Sequence, residues 1–426
     1  MQSLSNLRRT NRRDVLALSA VLVFGLLLRV AYLAFGTGRQ PLKSDALQYF
    51  EIARNVAAGK GFSNRYPGLL LHATAFRPPG YPLLLSGFFA VFGPSAGLAR
   101  GINVVLGLGV IALTYGLLRR HVSFTAALAG SLAVAVMPNL IANDTYVLDE
   151  PMALCLMLGL IWALLARRWW LSGALCGLLV LTRPSAQFFV LVLAVWVLVR
   201  ADWRSMLRFV AVAFLVVSPW LVRNWIQVGS PVLVTSNGFN WAAIYSPAAQ
   251  SAGVFIDPTT NPAYDKDRLL QFDELAWSNT LQSQGVHALE QHPTYVLHVV
   301  KYNAEAFFEL RPSFNRFAEL WDGRDTRILG DTLWVFYLEL GIGAFGLVAA
   351  RRTHLAQLFI IEGAYFTAAS LLFIAAPRLR APLDLALGVG VGLAADWLVQ
   401  RRTPAPGTAE AGLEPGADRA LEDHGT

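Results

Sequence analysis

The chain has 426 residues, 55% of them hydrophobic and only 15% charged, with a mean hydropathy of +0.47. Soluble domains carry about 25% charged residues, so a purely soluble protein is excluded and a polytopic, all-α integral membrane protein is indicated. The net charge of +7 does not argue for nucleic acid, because the arginines fall in short clusters between apolar runs, as topology determinants do.

The first apolar run, residues 15–35, can cross a hydrocarbon core that needs roughly 20 residues. Arg8, Arg9, Arg12 and Arg13 precede it and should hold the N-terminus in the cytoplasm. The run is too long for the apolar part of a cleavable signal and ends without a small-x-small site, so it reads as an uncleaved anchor. Further spans are predicted at 97–118, 123–142, 151–166, 169–183, 185–200, 207–224, 331–350, 354–375 and 381–399, about ten in all. The clusters Arg119-Arg120, Arg167-Arg168, Arg200 with Arg204 and Arg208, Arg351-Arg352 and Arg401-Arg402 then share the cytoplasmic side. Thr182-Arg183-Pro184 cannot rest in lipid, so the chain should turn there at the outer face.

Two outward stretches are long. The first outer loop, 37–96, contains an amphipathic segment, Ser44 to Ala58, with apolar Leu47, Tyr49, Ile52, Ala53 and Val56. It should lie on the membrane surface with Ser44 as N-cap. Tyr81 to Phe92 is apolar but too short to span, and reads as interfacial or re-entrant. The second stretch, 225–330, predicts helices at 265–284 and after Pro293. Residues 1–402 therefore form one transmembrane domain, and 403–426, rich in Pro, Gly, Ala and acids, a disordered cytoplasmic tail. Cys155 and Cys176 lie in apolar runs as packing residues.

Asp45 is the leading candidate for chemistry. Its carboxylate begins an amphipathic helix beside Lys43, on the side of the membrane away from the cytoplasm. The geometry fits plain complementation of the helix dipole, and it equally fits a general base kept ionised by helix N–H groups and a cation. Asp149 and Glu150 close a short outward turn with Asp144, ahead of a span that opens at Pro151. Helix-start decoration and function are both open there, with Glu150 favoured over Asp144. Arg77, Arg183, Arg223, Arg378 and Arg380 lie at outer ends of separate segments, where positive charge is disfavoured. Singly they could snorkel to lipid headgroups; together they suit an anionic phosphate, which the guanidinium fork binds in bidentate fashion.

Other signals are weaker. His287, His292 and His298 are spaced by five and six residues, so they do not share a helical face as a zinc pair would. Glycines 107, 109 and 388–392 read as close-packing positions within spans. No cofactor motif is present, and the reading leaves a divalent metal open.

The order of motifs resembles a known family. Asp45, Tyr49-Phe50-x-x-Ala53, Gly59-x-Gly61-Phe62, Arg77-Pro78-Pro79-Gly80-Tyr81-Pro82, Leu181-Thr182-Arg183-Pro184, Pro219-Trp220-x-x-Arg223-Asn224, Asn237-Gly238-x-Asn240 and Arg378-x-Arg380-x-Pro382 are similar to the GT-C membrane glycosyltransferases. The nearest branch is the family-39-like one, related to protein O-mannosyltransferases and lipid A aminoarabinose transferases. The resemblance implies a polyprenyl-phosphate-linked sugar donor and inverting transfer at the outer face of a bacterial inner membrane. It implies Asp45 as catalytic base, Glu150 with Asp149 as assisting acids, and Arg77 on the donor phosphate. Lys43, Arg183, Arg223, Arg378 and Arg380 complete the expected phosphate set, and Tyr49, Tyr81 and Asn237 are expected to line the substrate site. Asp45 is followed by Ala46 where many relatives carry Asp-Glu. The acceptor, a hydroxyl of an envelope lipid, glycan or protein, stays open.

The chemistry is consistent with this set. A lipid phosphate is a good leaving group, so one base and several cations suffice, unlike glycoside hydrolysis with its two carboxylates. The rival is a lipid or sugar-lipid transporter, which should show internal repeats and ionisable residues near the midplane. No repeat is visible, and the carboxylates read as interfacial. Orientation is directly testable. Cysteine-accessibility labelling of intact cells should reach single cysteines within 37–96 and 225–330 from outside, and cysteines replacing Arg119, Arg167 or Arg351 only after permeabilisation.

Overall fold

Long apolar runs with few breakers fold as helices because lipid offers the backbone no hydrogen-bond partner. The computed structural model describes residues 12–37, 40–65, 70–260, 273–311 and 324–402. Among these residues the one sheet is a two-residue pair, Ser63–Asn64 antiparallel to His72–Ala73, with Ser63 opposite Ala73. Everything else of regular structure is helical. The chain is a membrane protein: among the described residues five helices are long and apolar enough to cross a bilayer, Arg12–Gly36, Ala96–Arg119, Trp203–Val228, His354–Leu372 and Pro377–Arg401.

An apolar helix stands at each of the ten predicted positions, but length does not carry the count of ten. Phe124–Val136 and Pro138–Asp144 make a sixth span only as one unit bent by 62°. The bend falls at Met137 before Pro138, whose ring disfavours helical geometry in the residue ahead of it. Glu150–Leu165, Trp169–Thr182, Pro184–Arg200 and Leu333–Ala349 are shorter. At 1.5 Å per residue the 14-residue Trp169–Thr182 helix covers about 21 Å, below the roughly 30 Å core. The chain does turn at Arg183, between that helix and the 3₁₀ turn Pro184–Gln187.

The spans meet where side chains vanish. A Cβ at Gly343 would strike the Leu387 carbonyl, and one at Gly346 the Gly390 carbonyl, so Leu333–Ala349 and Ala381–Arg402 touch backbone to backbone. Gly177 stands likewise against Ala213 of the Trp203–Val228 helix. Such close approach supplies packing where the hydrophobic effect between helices is lost to lipid.

Several expectations need correction. The helix expected over 265–284 runs Glu274–Gln291, because Asp273 caps it by accepting from the Ala276 N–H at 3.0 Å; residues 265–272 lie outside the described residues, as do Arg8, Arg9 and the tail 403–426. Ser44 is not the N-cap of its helix: Lys43 holds that position without a side-chain cap, and Ser44 enters at φ 44°. Carboxylates are not confined to the interface either. Glu362 is 0% exposed inside its span with both oxygens unpartnered, and Glu339 is buried with one oxygen unpartnered.

The packing generates a paired prediction. Gly346→Ala should lower the thermal midpoint in detergent by the equivalent of about 1–3 kcal/mol, since neighbouring backbone must move. Gly341→Ala, with nothing within 4 Å of its Cβ, should hold or raise the midpoint, alanine being favoured over glycine in helices by roughly 0.5–1 kcal/mol. Equal midpoints would overturn the close-contact account.

Candidate functional site

Asp45 sits in the first turn of the Ser44–Ala57 helix, behind a residue in the left-handed region. A non-glycine residue holds such a conformation at a cost of about 1–3 kcal/mol, so surrounding contacts must compensate. Those contacts are two guanidinium groups. Arg77 Nη2 donates to Asp45 Oδ1, and Arg378 Nη2 donates to Oδ2. Arg77 also donates from Nε to Gln48 Oε1 at 2.7 Å, one turn along the same helix. Arg378 belongs to the short turn Pro377–Arg380 ahead of the last helix, where Asn143 Nδ2 donates to its carbonyl at 3.1 Å. One carboxylate thus joins the first loop to the turn before the last described helix. Burial alone would raise its pKa, but Arg77 and then Arg378 outweigh that and hold the carboxyl well below the usual range.

The acidic turn meets the same space. Asp149 precedes the Glu150–Leu165 helix and accepts from the Tyr49 hydroxyl at 3.2 Å. Glu150 faces Arg183 Nη1 at 3.6 Å, and its second oxygen has no partner. Burial, reinforced by the Glu150 charge, pushes the Asp149 carboxyl up. Asp45, Arg77, Arg378, Asp149, Glu150 and Arg183 line one cavity of about 360 Å³, together with Tyr49 and Asn237. Aromatic rings from Phe239, Trp241, Phe255 and Phe373 form much of the remaining wall. The arrangement offers an ionised carboxylate flanked by fixed cations, a second acidic pair, and apolar surface.

Four expected residues lie elsewhere. Arg223 donates to the Thr74 carbonyl at 2.6 Å and the Phe62 carbonyl at 2.7 Å, and its guanidinium lies over the Trp220 ring, so it ties the first loop to its span. Arg380 is buried against Asp384 at 3.0 Å, Glu309 at 3.1 Å and the Phe336 ring, a bundle-locking cluster. Lys43 is exposed and its backbone carries its bonds: the N–H donates to the Tyr146 hydroxyl at 3.2 Å and the carbonyl accepts from the Leu47 N–H at 3.2 Å. Tyr81 is fully buried; its hydroxyl donates to Asn103 Oδ1 at 2.9 Å, and Asn103 in turn donates to the carbonyls of Tyr146 and Leu148. Tyr81 therefore braces the acidic turn and packs edge-on behind Tyr49, with ring centroids 5.3 Å apart.

Asp144 is withdrawn from the cavity by Arg29, whose Nε donates to Asp144 Oδ2 at 2.8 Å inside the bundle. Sequence reasoning missed Arg29, and also Gln48. The available signals were a cation inside the first apolar run, and a polar residue one turn after Asp45.

Residues 76–223 match the family model described as dolichyl-phosphate-mannose-protein mannosyltransferase. A search of curated proteins gave no match. Among solved structures, the oligosaccharyltransferase AglB of Archaeoglobus fulgidus, in complex with an inhibitory peptide and a dolichol-phosphate, aligns over 92% of this chain and 51% of its own at TM-score 0.53 and 14% identity. The apo form of the oligosaccharyltransferase from the same organism gives TM-score 0.52 at 15% identity, covering 92% and 52%. The chain resembles the GT-C membrane glycosyltransferases in fold. It spans about half the length of these relatives. ArnT of Cupriavidus metallidurans bound to undecaprenyl phosphate aligns over 91% of this chain and 77% of its own at 17% identity, with a TM-score of 0.40 that carries no residue correspondence. The family-model stretch contains Arg77, Asp149, Glu150 and Arg183.

The raised Asp149 carboxyl has a consequence for stability. With a folded pKa pushed up to about 7 against about 4 unfolded, its protonated form favours folding, and that contribution is lost as pH rises from about 4 to about 7. Asn cannot ionise, so the thermal midpoint of Asp149→Asn should exceed that of wild type by an increment that grows from pH 4 to pH 7 and then levels off. An increment independent of pH would overturn this account.

Proposed function

We propose that the protein is a membrane glycosyltransferase that moves a sugar from a polyprenyl-phosphate donor to an acceptor hydroxyl, with inversion, at the outer face of the bacterial inner membrane. The observation that carries the reading is the Asp45 carboxylate held between Arg77 and Arg378 in the cavity. The family match over 76–223 and the GT-C fold support it. Dolichol-phosphate bound to the archaeal relative supports a polyprenyl-phosphate donor.

In this reading the donor phosphate takes over the guanidinium groups of Arg77 and Arg378. Both cations are already fixed in the cavity and partly desolvated, so their attraction for an arriving phosphate is little screened. As they turn to the phosphate, Asp45 loses its partners, its basicity rises, and it can accept a proton. The acceptor oxygen then attacks the anomeric carbon opposite the phosphate. The carbon–oxygen bond to phosphate breaks, polyprenyl phosphate leaves with its added negative charge facing Arg77, Arg378 and Arg183, and the hydroxyl proton passes to Asp45. One displacement inverts the anomeric configuration. The unpartnered oxygen of Glu150 is free to accept from a sugar or acceptor hydroxyl, and the aromatic wall suits a sugar face or lipid chain. Among the described residues, five to six full-length spans and four of the five shorter apolar helices, those other than Gly80–Phe92, are compatible with about ten crossings in a transmembrane domain proposed to reach residue 402, if the bilayer thins around the cavity.

A transporter is the second reading, and Glu362 and Glu339 favour it, because ionisable groups inside spans often mark a transport path. Transfer of radiolabelled sugar from a polyprenyl-phosphate donor by purified protein separates the two. Asp45→Asn keeps shape while removing basicity, and should lower turnover about 10²–10⁴-fold while donor binding is kept or tightened, because no carboxylate then competes with the phosphate for Arg77 and Arg378. Arg77→Ala should weaken donor binding and slow turnover together, and Arg77→Lys should recover only part of either, lacking the bidentate fork. Turnover of Asp45→Asn above about a tenth of wild type is incompatible with a base role. Lipid transport without any transfer across a broad donor panel would favour the second reading.

A further inference from the structure

Arg77 reaches Asp45 at the end of a short segment, His72 to Arg77, that has little regular structure of its own. The segment is held from the far side of the chain by Glu274, the first residue of the Glu274–Gln291 helix. Glu274 is only 4% exposed. Its oxygens accept from the Thr74 hydroxyl at 2.6 Å, the Ala75 N–H at 2.8 Å and the Thr235 hydroxyl at 2.5 Å, and meet His72 Nε2 at 3.0 Å. A buried carboxylate is costly unless its oxygens are satisfied, and here hydrogen bonds from two chain segments satisfy them.

The bonds converge on the residues just before Arg77. The Phe76 N–H donates to Thr74 Oγ1 at 2.9 Å, and the Thr235 N–H donates to the Ala75 carbonyl at 3.0 Å. The Phe76 ring packs against Trp277, one turn along from Glu274. Thr235 leads directly into the Ser236–Tyr245 helix that brings Asn237 to the cavity wall. Glu274 itself does not line the cavity. It acts on the backbone from which the Arg77 side chain is aimed.

We infer that Glu274 is a positioning residue for Arg77, setting the guanidinium where the donor phosphate must be met. The inference rests on the reading of Arg77 as a phosphate ligand. A site functions when its groups are held within about 0.5 Å, and a segment without Glu274 lacks that restraint. Glu274→Gln presents an amide N–H₂ to groups that are themselves donors, breaking the set while keeping side-chain volume.

The test is the Kd of purified full-length protein for undecaprenyl phosphate in detergent, measured in a double-mutant cycle. Arg77→Ala should weaken binding at least about tenfold and Glu274→Gln about three- to tenfold. Combined, the two should weaken it less than about twofold beyond Arg77→Ala alone, because the effect of Glu274 runs through Arg77. Thr235→Val removes one donor from the same carboxylate and should give a smaller loss that likewise disappears in the Arg77→Ala background; it serves where Glu274→Gln aggregates on gel filtration. If Arg77→Ala binds as wild type does, the phosphate-ligand reading fails and this inference with it. If Arg77→Ala weakens binding but the Glu274 and Thr235 variants bind normally, or their losses multiply in full with that of Arg77→Ala, positioning alone is overturned.

Discussion

The structure turns on a carboxylate held by two guanidinium groups. Asp45 bonds Arg77 from its own loop and Arg378 from the turn before the last described helix, so the charged site forms only when these two distant segments meet. Two opposing terms act on that carboxylate. Burial favours its protonation, the cations favour its ionisation, and the cations win. A carboxylate bound so tightly is a weak base, and two cations bound to it are masked from phosphate. In the proposed reaction these contacts would make base and phosphate site interdependent.

Most of the other charged side chains near this cavity serve its geometry. Arg223 pins the first loop to the Trp203–Val228 helix through two backbone carbonyls. Tyr81 and Asn103 hold the turn that presents Asp149 and Glu150. Arg380, Asp384 and Glu309 lock the last helix behind Arg378. Placing polar groups in such an interior is costly unless each finds a partner, and breaking one pair leaves an uncompensated charge. Rigidity at the cavity follows from that constraint. It suits the proposed reaction, in which fixed charges meet a lipid-borne substrate.

The spans contribute differently. Their contacts rely on glycine at positions such as Gly343, Gly346 and Gly390, where helix backbones touch. The lipid-facing surface keeps large apolar side chains such as Leu215 and Phe214 exposed, as expected when the surrounding solvent is hydrocarbon. Glu362 and Glu339 stand apart from both patterns, as buried acids within the packed spans.

Sequence alone determined the helical membrane class, the positions of the apolar helices and the turn at Arg183, because hydrophobic length and arginine placement are local properties. It also isolated Asp45, Arg77, Asp149, Glu150, Arg183 and Arg378, since charge beside an apolar run is rare and each such residue can be noticed singly. Tertiary structure decided which of them share a cavity. Arg223, Arg380 and Lys43 carry the same charge in similar sequence settings, yet backbone carbonyls, a neighbouring acid cluster and solvent engage them instead. Tyr81 stands in a motif beside Arg77 but points into packing. Glu274, Arg29 and Gln48 were silent in the sequence because their meaning lies in partners far along the chain, or in a side-chain direction that no local pattern records. A guanidinium binds whatever anion or carbonyl the fold brings within about 3 Å, and only the folded chain specifies that neighbour.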